Sequence, residues 1–219
     1  MSKRIGIIGS GIVGATLANG FIRHGYEVMI GTSNAGKREE LKLKTNGMAK
    51  VGSFPETAAF GEIVVLAVKG TAAESALASA GASNLSGKTV IDTTNPIADA
   101  PPVNGVLQYF TSMNESLMER LQKAAPDVHF VKAFSCVGNA LMVNPDYGGV
   151  RPTMFLCGNH GGAKSEVKAI LDQFGHDVED LGKVEAARAI EPLCILWCIP
   201  GFLENRWTHA YRVLKKSKS

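Results

Sequence analysis

Apolar residues along this chain recur on two different periods, and the switching between them predicts a βα alternation from the start. A short apolar run at Arg4–Ile8 is followed by a helical pattern over Ile12–Arg23. Further strands are expected at Glu27–Ile30, Ala49–Val51, Ile63–Val68, Thr89–Ile91 and His129–Ala133, with helices at Lys37–Asn46, Thr71–Ser79 and Glu115–Lys123. Ile63-Val-Val-Leu-Ala-Val has no polar position, as a central parallel strand covered on both faces requires. The first helix ends in Arg23-His24-Gly25, a basic last turn and a glycine stop, which makes His24 a cap.

After residue 135 the rhythm changes. Strands at Thr153–Leu156 and Asp177–Asp180 flank a helix near Gly162–Phe174. Two helical stretches follow, Val184–Ile199 and Phe202–Lys215, broken at Pro200-Gly201, with Pro192 kinking or restarting the first. The fold class is therefore α/β: a doubly wound Rossmann parallel sheet with a small C-terminal α+β/helical extension. Residues 1–135 are expected to form the dinucleotide-binding domain and residues 136–219 a small substrate and dimerisation domain. Ordinary core packing is the simpler reading of the apolar tail Leu193–Leu214.

Gly9, Gly11 and Gly14 hold G-x-G-x-x-G spacing directly after a strand and at the head of a helix. In that context Gly9 permits the tight turn, Gly11 admits a pyrophosphate to the backbone, and Gly14 lets the helix pack on the sheet. The helix N-terminus then faces the phosphates. The second strand decides between the two nicotinamide coenzymes. Where an NAD site carries an acid for the ribose hydroxyls, this chain has Gly31, followed by Thr32-Ser33-Asn34-Ala35-Gly36-Lys37-Arg38. Two hydroxyls and two cations suit a 2′-phosphate, so NADP is the expected cofactor.

Three strand ends supply the nicotinamide half. They are Val68-Lys69-Gly70, where Thr71 can cap the next helix, Asp92-Thr93-Thr94-Asn95-Pro96, and Phe134-Ser135-Cys136-Val137-Gly138-Asn139. Asn95 offers an amide donor and acceptor, although Asn95-Pro96 also reads as a plain turn. Ser135 and Asn139 are the polar groups expected on the substrate side. The aperiodic stretch from Pro96 to Tyr109 reads as a substrate lid.

Composition removes other classes. The 219 residues are 45% hydrophobic with a net charge of +3, and no basic run interleaves with aromatics, so no nucleic-acid partner is expected. Four cysteines lack disulfide-scaffold density or a zinc pattern, and no metal is expected. Cys194 and Cys198, four apart, read as buried thiols. Asn159-His160-Gly161-Gly162 reads as a glycine-rich helix lead-in capped by Asn. Met1-Ser-Lys-Arg leaves no room for a signal peptide, and no apolar run approaches the roughly 20 residues of a membrane helix. A cytoplasmic protein with no membrane partner is expected, its basic tail Arg212–Lys218 forming a solvated helix end.

Taken together, the Gly9–Gly14 fingerprint, the Gly31-Thr-Ser…Lys37 turn, Val65-Leu-Ala-Val, Asp92-Thr-Thr-Asn-Pro, Leu156-Cys-Gly and Ile190-Glu-Pro-Leu…Gly201…Asn205 resemble the coenzyme F420-dependent NADP oxidoreductase family. That family has nucleotide domains of the 6-phosphogluconate-dehydrogenase type. The resemblance implies a two-domain NADP enzyme, commonly a homodimer, that passes hydride between nicotinamide and a deazaflavin. It places Ser10, Gly11, Ile12 and Val13 on the pyrophosphate, Thr32, Ser33 and Lys37 on the 2′-phosphate, and Gly70, Ile97 and Asn139 along the nicotinamide half. The chain departs from the family at Ser33 and Leu141, where basic residues are usual, and at Gly70, where an aromatic is usual. F420 or a flavin is thus the expected co-substrate. The other readings are a small-substrate dehydrogenase on the same fold and a non-catalytic NADP(H) sensor.

Overall fold

The computed structural model describes residues 3–216. Six parallel strands, β1 (Arg4–Ile8), β2 (Glu27–Gly31), β3 (Lys50–Gly52), β4 (Ile63–Leu66), β5 (Thr89–Asp92) and β6 (His129–Lys132), form one sheet in the order β3-β2-β1-β4-β5-β6. That order reverses between β1 and β4, which opens a crevice at their carboxyl ends, where open α/β sheets bind ligands. β1 and β2 pair in register, Ile8 opposite Gly31, so the glycine loop and the end of β2 lie side by side.

Residues on each strand divide alternately between the two faces. Ile5, Ile7, Ile63 and Val65 pack under α1 (Ile12–Arg23), while Ile8, Val64 and Leu66 pack on the opposite face. β4 is apolar at all four positions because both its faces are covered. Each such buried side chain contributes on the order of 1.5–3 kcal/mol relative to exposure. Further helices on the sheet are α2 (Arg38–Lys44), α3 (Phe54–Phe60), α4 (Ala73–Ala80), the single turn α5 (Ala82–Leu85) and α6 (Leu117–Ala124). α3 was not expected from periodicity. Its signal was the capping box, in which Ser53 and Glu56 satisfy each other's backbone N–H groups.

The extension begins with β7 (Thr153–Leu156), α7 (Gly161–Gln173) and β8 (Asp177–Asp180), a parallel βαβ unit. β7 joins β6 antiparallel at the Lys132–Cys157 bridge. Phe174, just after α7, meets Phe21 of α1 at 5.0 Å between ring centres, so one apolar cluster runs through both parts of the chain. α8 (Ala187–Ile190) and α9 (Pro192–Glu204) follow.

The C-terminal segment corrects four expectations. Pro192 does start a helix, but α9 runs through Pro200 and Gly201 and stops at Glu204, with Asn205 left-handed at φ 52°. The predicted second helix over Phe202–Lys215 is absent among the described residues. Instead the chain folds back as a strap: Trp207 rests on Gly201, Trp197 Nε1 donates to His209 O at 2.8 Å, and Tyr211 OH donates to Leu193 O at 3.1 Å. A Cβ on Gly201 would fall 2.2 Å from the Trp207 ring, so the glycine permits the fold-back instead of breaking the helix. Arg212 donates to Arg151 O, so the basic tail is no helix end, and residues 217–219 lie outside the described residues. Finally, Val184–Glu204 is helical over 21 residues and is long and apolar enough, by length and composition alone, to cross a membrane. Two smaller corrections concern caps. Thr71 lies inside a short 3-10 turn, and the cap of α7 is His160, whose Nδ1 accepts from Ala163 N, while Asn159 accepts from Val184 N.

One charged group fixes α9 to the sheet. Lys132 is fully buried on β6, with its Nζ 2.7 Å from Asp92 Oδ2 and 2.8 Å from Glu191 Oε1. The Glu191 carboxylate also accepts from Leu117 N and Met118 N at the head of α6. Burial alone would push the ammonium down, but the two carboxylates outweigh it and keep the lysine charged. Lys132→Met would leave two carboxylates buried without their counter-ion. It is expected to destabilise the fold by about 3–5 kcal/mol in urea titration, and a loss under about 1 kcal/mol would contradict this account.

Candidate functional site

The glycine loop leaves β1 with Gly9 at φ 127°, a conformation closed to side chains, and a Cβ there would lie 2.2 Å from Ala67 O. A Cβ on Gly14 would lie 2.1 Å from Gly9 O, so this glycine lets α1 sit against the loop. Gly11 differs from both. Nothing stands within 4 Å of its Cβ direction, and its backbone is extended at φ −75° and ψ −176°. The protein needs two of the three glycines for itself and leaves space above the third. Among the described residues nothing acidic stands in the first turn of α1, so its N-terminal N–H groups and dipole meet no carboxylate there.

Beside the loop, Ser10 Oγ donates to Thr32 Oγ1 at 3.2 Å, joining it to the end of β2. Thr32 Oγ1 also accepts from Asn34 N, and Asn34 Oδ1 accepts from Gly36 N, which holds a tight turn carrying Ser33, Lys37 and Arg38. Ser33, Lys37 and Arg38 are exposed. Arg38 lies 4.0 Å from Glu56, while Lys37 makes no ion pair among the described residues.

A cavity of about 510 Å³ lies over the switch point. Gly11, Ile12, Val13, Val68, Lys69, Gly70, Asn95 and Ile97 of the expected set line it, as do Thr93 and the segment Ala98–Ala100. Gly70 serves the protein itself, since a Cβ there would fall 2.0 Å from Asn95 O, and Pro96 lies beneath the same contact. The segment from Pro96 to Tyr109 is an ordered flap, bridged Ile97–Tyr109 and Val103–Val106. Its Asp99 faces Lys69 across the cavity at 4.0 Å.

A second cavity of about 340 Å³ continues from the first, sharing Val13, Thr93 and Asn95. Phe134, Ser135 and Asn139 of the expected strand end line it, together with residues the sequence did not assign to a site: Met142, Cys194, Trp197, Cys198 and Trp207. No periodicity could have found these, because they arrive from the β6 end, α9 and the strap. Asn95 Nδ2 donates to Ser135 O at 2.7 Å, leaving Asn95 Oδ1 and Ser135 Oγ buried with no protein partner. Buried polar atoms without partners are uncommon and favour a ligand that completes them. Among the described residues, no group of three or more His, Cys, Asp or Glu is placed to hold a metal.

The strand order, the glycine loop and the cavity at the switch point are those of a Rossmann-type dinucleotide-binding fold. Residues 4–96 match the family described as NADP oxidoreductase, coenzyme F420-dependent. A solved structure from Arthrobacter sp. FB24, named as a candidate F420-dependent NADP reductase, is 30% identical, with a TM-score of 0.89 covering 98% of this chain and 100% of that one. The chain belongs to this family of NADP oxidoreductases. It is also 29% identical over 207 residues to Metalloreductase STEAP3 of Rattus norvegicus, covering 92% of this chain but only 39% of that protein. Pyrroline carboxylate reductase of Plasmodium falciparum, solved with NADP bound, shares the fold at 18% identity and a TM-score of 0.60, covering 92% of this chain and 64% of that one.

The glycine geometry separates ligand from fold. Gly11→Ala is expected to fold within about 1 kcal/mol of the parent, yet to bind NADPH at least about tenfold more weakly by calorimetry. Gly14→Ala should instead lower the thermal midpoint. Equal stability losses in the two variants would refute the assignment.

Proposed function

We infer that the chain is an NADPH-dependent reductase that passes hydride to a flat redox acceptor of the deazaflavin or flavin kind, F420 being the acceptor in the family's name. One observation carries this reading: the nucleotide cavity and the second cavity share a wall of Val13, Thr93 and Asn95. A nicotinamide ring reaching that wall presents one face to the second cavity. NADPH supplies the hydride when bound.

This chain's own residues bind, orient and exclude water. Ser10, Gly11, Ile12 and Val13 offer loop and helix-start amides to the pyrophosphate. Thr32, Ser33 and Lys37 hold the 2′-phosphate, with Arg38 shared between it and Glu56. Asn95 Oδ1, otherwise unpartnered, accepts from the carboxamide. Hydride transfer between stacked rings needs no acid–base pair, which suits a site whose polar side chains are mostly amides and hydroxyls.

The proposed partner is a second copy of this chain. Leu196, Phe202 and Leu203 of α9 are exposed, and Val103 and Val106 of the flap are exposed as well. Gly105 of the flap packs against Leu203, which joins the two segments into one apolar face. Sedimentation should give a dimer that Leu196→Glu converts to monomer, and a monomeric parent would refute this.

Lys37→Ala is expected to weaken NADPH at least about tenfold while leaving NADH affinity within about twofold. Parallel calorimetric titrations decide it. A parent that prefers NADH, or equal losses for both coenzymes, would overturn the NADP reading.

A further inference from the structure

The two cavities differ in the charged groups on their walls. Lys69 and Asp99 line the nucleotide cavity, whereas among the described residues no lysine, arginine or histidine lines the second. Arg206, the cation next to Trp207 in sequence, is paired with Glu204 at 3.2 Å. Nor do the thiols add positive charge. Cys194 Sγ and Cys198 Sγ are 4.0 Å apart, and their hydrogen bond holds Cys198 as a thiol while drawing Cys194 below the ordinary value.

The walls are aromatic. Trp197 and Trp207 stand 5.6 Å apart between ring centres at 43°. Trp197 lies so close to Gly138 that a Cβ there would be 2.6 Å from the indole. Ser135 is 3% exposed, and its Oγ is buried behind the cavity wall without a protein partner. A volume of about 340 Å³ lies at the small end of the ~300–1,000 Å³ range of ligand pockets.

Resting on the hydride-transfer reading above, we propose that this cavity takes an uncharged planar conjugated carbonyl compound, either a small quinone or an unphosphorylated flavin ring. Indole faces stack on such a ring, and the half-exposed amide of Asn139 on the cavity wall can donate to its carbonyl. A phosphate or carboxylate held beside the ring would lose hydration with no cation to replace it. The balance closes with one hydride from NADPH and one proton from water: quinone, NADPH and a proton give hydroquinone and NADP⁺.

The chain has two tryptophans, both in this cavity, so its whole tryptophan emission reports on occupancy. Riboflavin and FMN carry the same ring and differ in one phosphate, which isolates charge. With saturating NADP⁺, riboflavin and menadione should quench the emission, and FMN should bind at least about tenfold more weakly than riboflavin. Ala140→Lys, which adds a cation at an exposed position on the cavity wall, should raise the affinity for FMN relative to riboflavin at least about fivefold at low salt, an effect lost at high salt. FMN binding as tightly as riboflavin, no quenching by either neutral ring, or an unchanged ratio in Ala140→Lys would overturn the proposal. Separate calorimetry with NADPH distinguishes this failure from failure of the coenzyme reading, since the nucleotide binds in the other cavity.

Discussion

A single buried lysine sets where the two halves of this protein meet. Lys132 leaves β6 with no exposure to water and is surrounded by Asp92 on β5, Glu191 before α9 and the carbonyl of Thr94, 2.8 Å away. A buried ammonium is tolerable only when its partners are fixed in place, so the charge dictates the position of three separate segments. Asp92 Oδ1 also accepts from Thr94 N and Thr94 Oγ1, which fixes the turn that presents Asn95. Glu191 ties the start of α9 to the head of α6. The turn that carries Asn95 and the helix that carries Trp197 are therefore held by the same charge.

The consequence is a crevice with two characters. On one side, the head of α1 and the charged pair Lys69 and Asp99 line the cavity, with the hydroxyls of Ser10 and Thr32 and the exposed Lys37 on the neighbouring loop and turn. On the other side the walls are largely indole, phenyl, thiol and thioether, with Thr93, Asn95, Ser135 and Asn139 as the polar points. The two cavities thus differ in chemistry: charged side chains line the first, and aromatic and sulfur side chains dominate the second.

Much of the first cavity could be read in the chain. Its residues sit in three short contiguous runs at strand ends, and contiguous runs leave a local signature in glycine spacing and in the missing acid after β2. Even there, the structure separates roles that spacing alone treats alike. Gly9 and Gly14 are required by close backbone approach, whereas Gly11 faces open space. The second cavity was illegible for the opposite reason. Met142 lies more than fifty residues before Trp197 and Trp207, and each reads locally as ordinary core. The pattern of Phe202, Trp207, Tyr211 and Leu214 suggested a helix, yet Phe202 belongs to α9 and the other three to a strap that bonds to β7, Thr153 N donating to Tyr211 O.

By itself the sequence determined the six-strand alternation and its main helices, because period and caps are local properties: α1, β1, β7 and β8 begin and end where their residues change character. It also determined a glycine loop competent for phosphates, since turn, close approach and helix start are encoded within six residues. Only the tertiary structure decided that α9 passes through Pro200, that the tail returns along it, and that Lys132, Asp92 and Glu191 share one buried site. Those outcomes depend on contacts between distant segments, whose free energy outweighs local preference and is invisible to any short window of the chain.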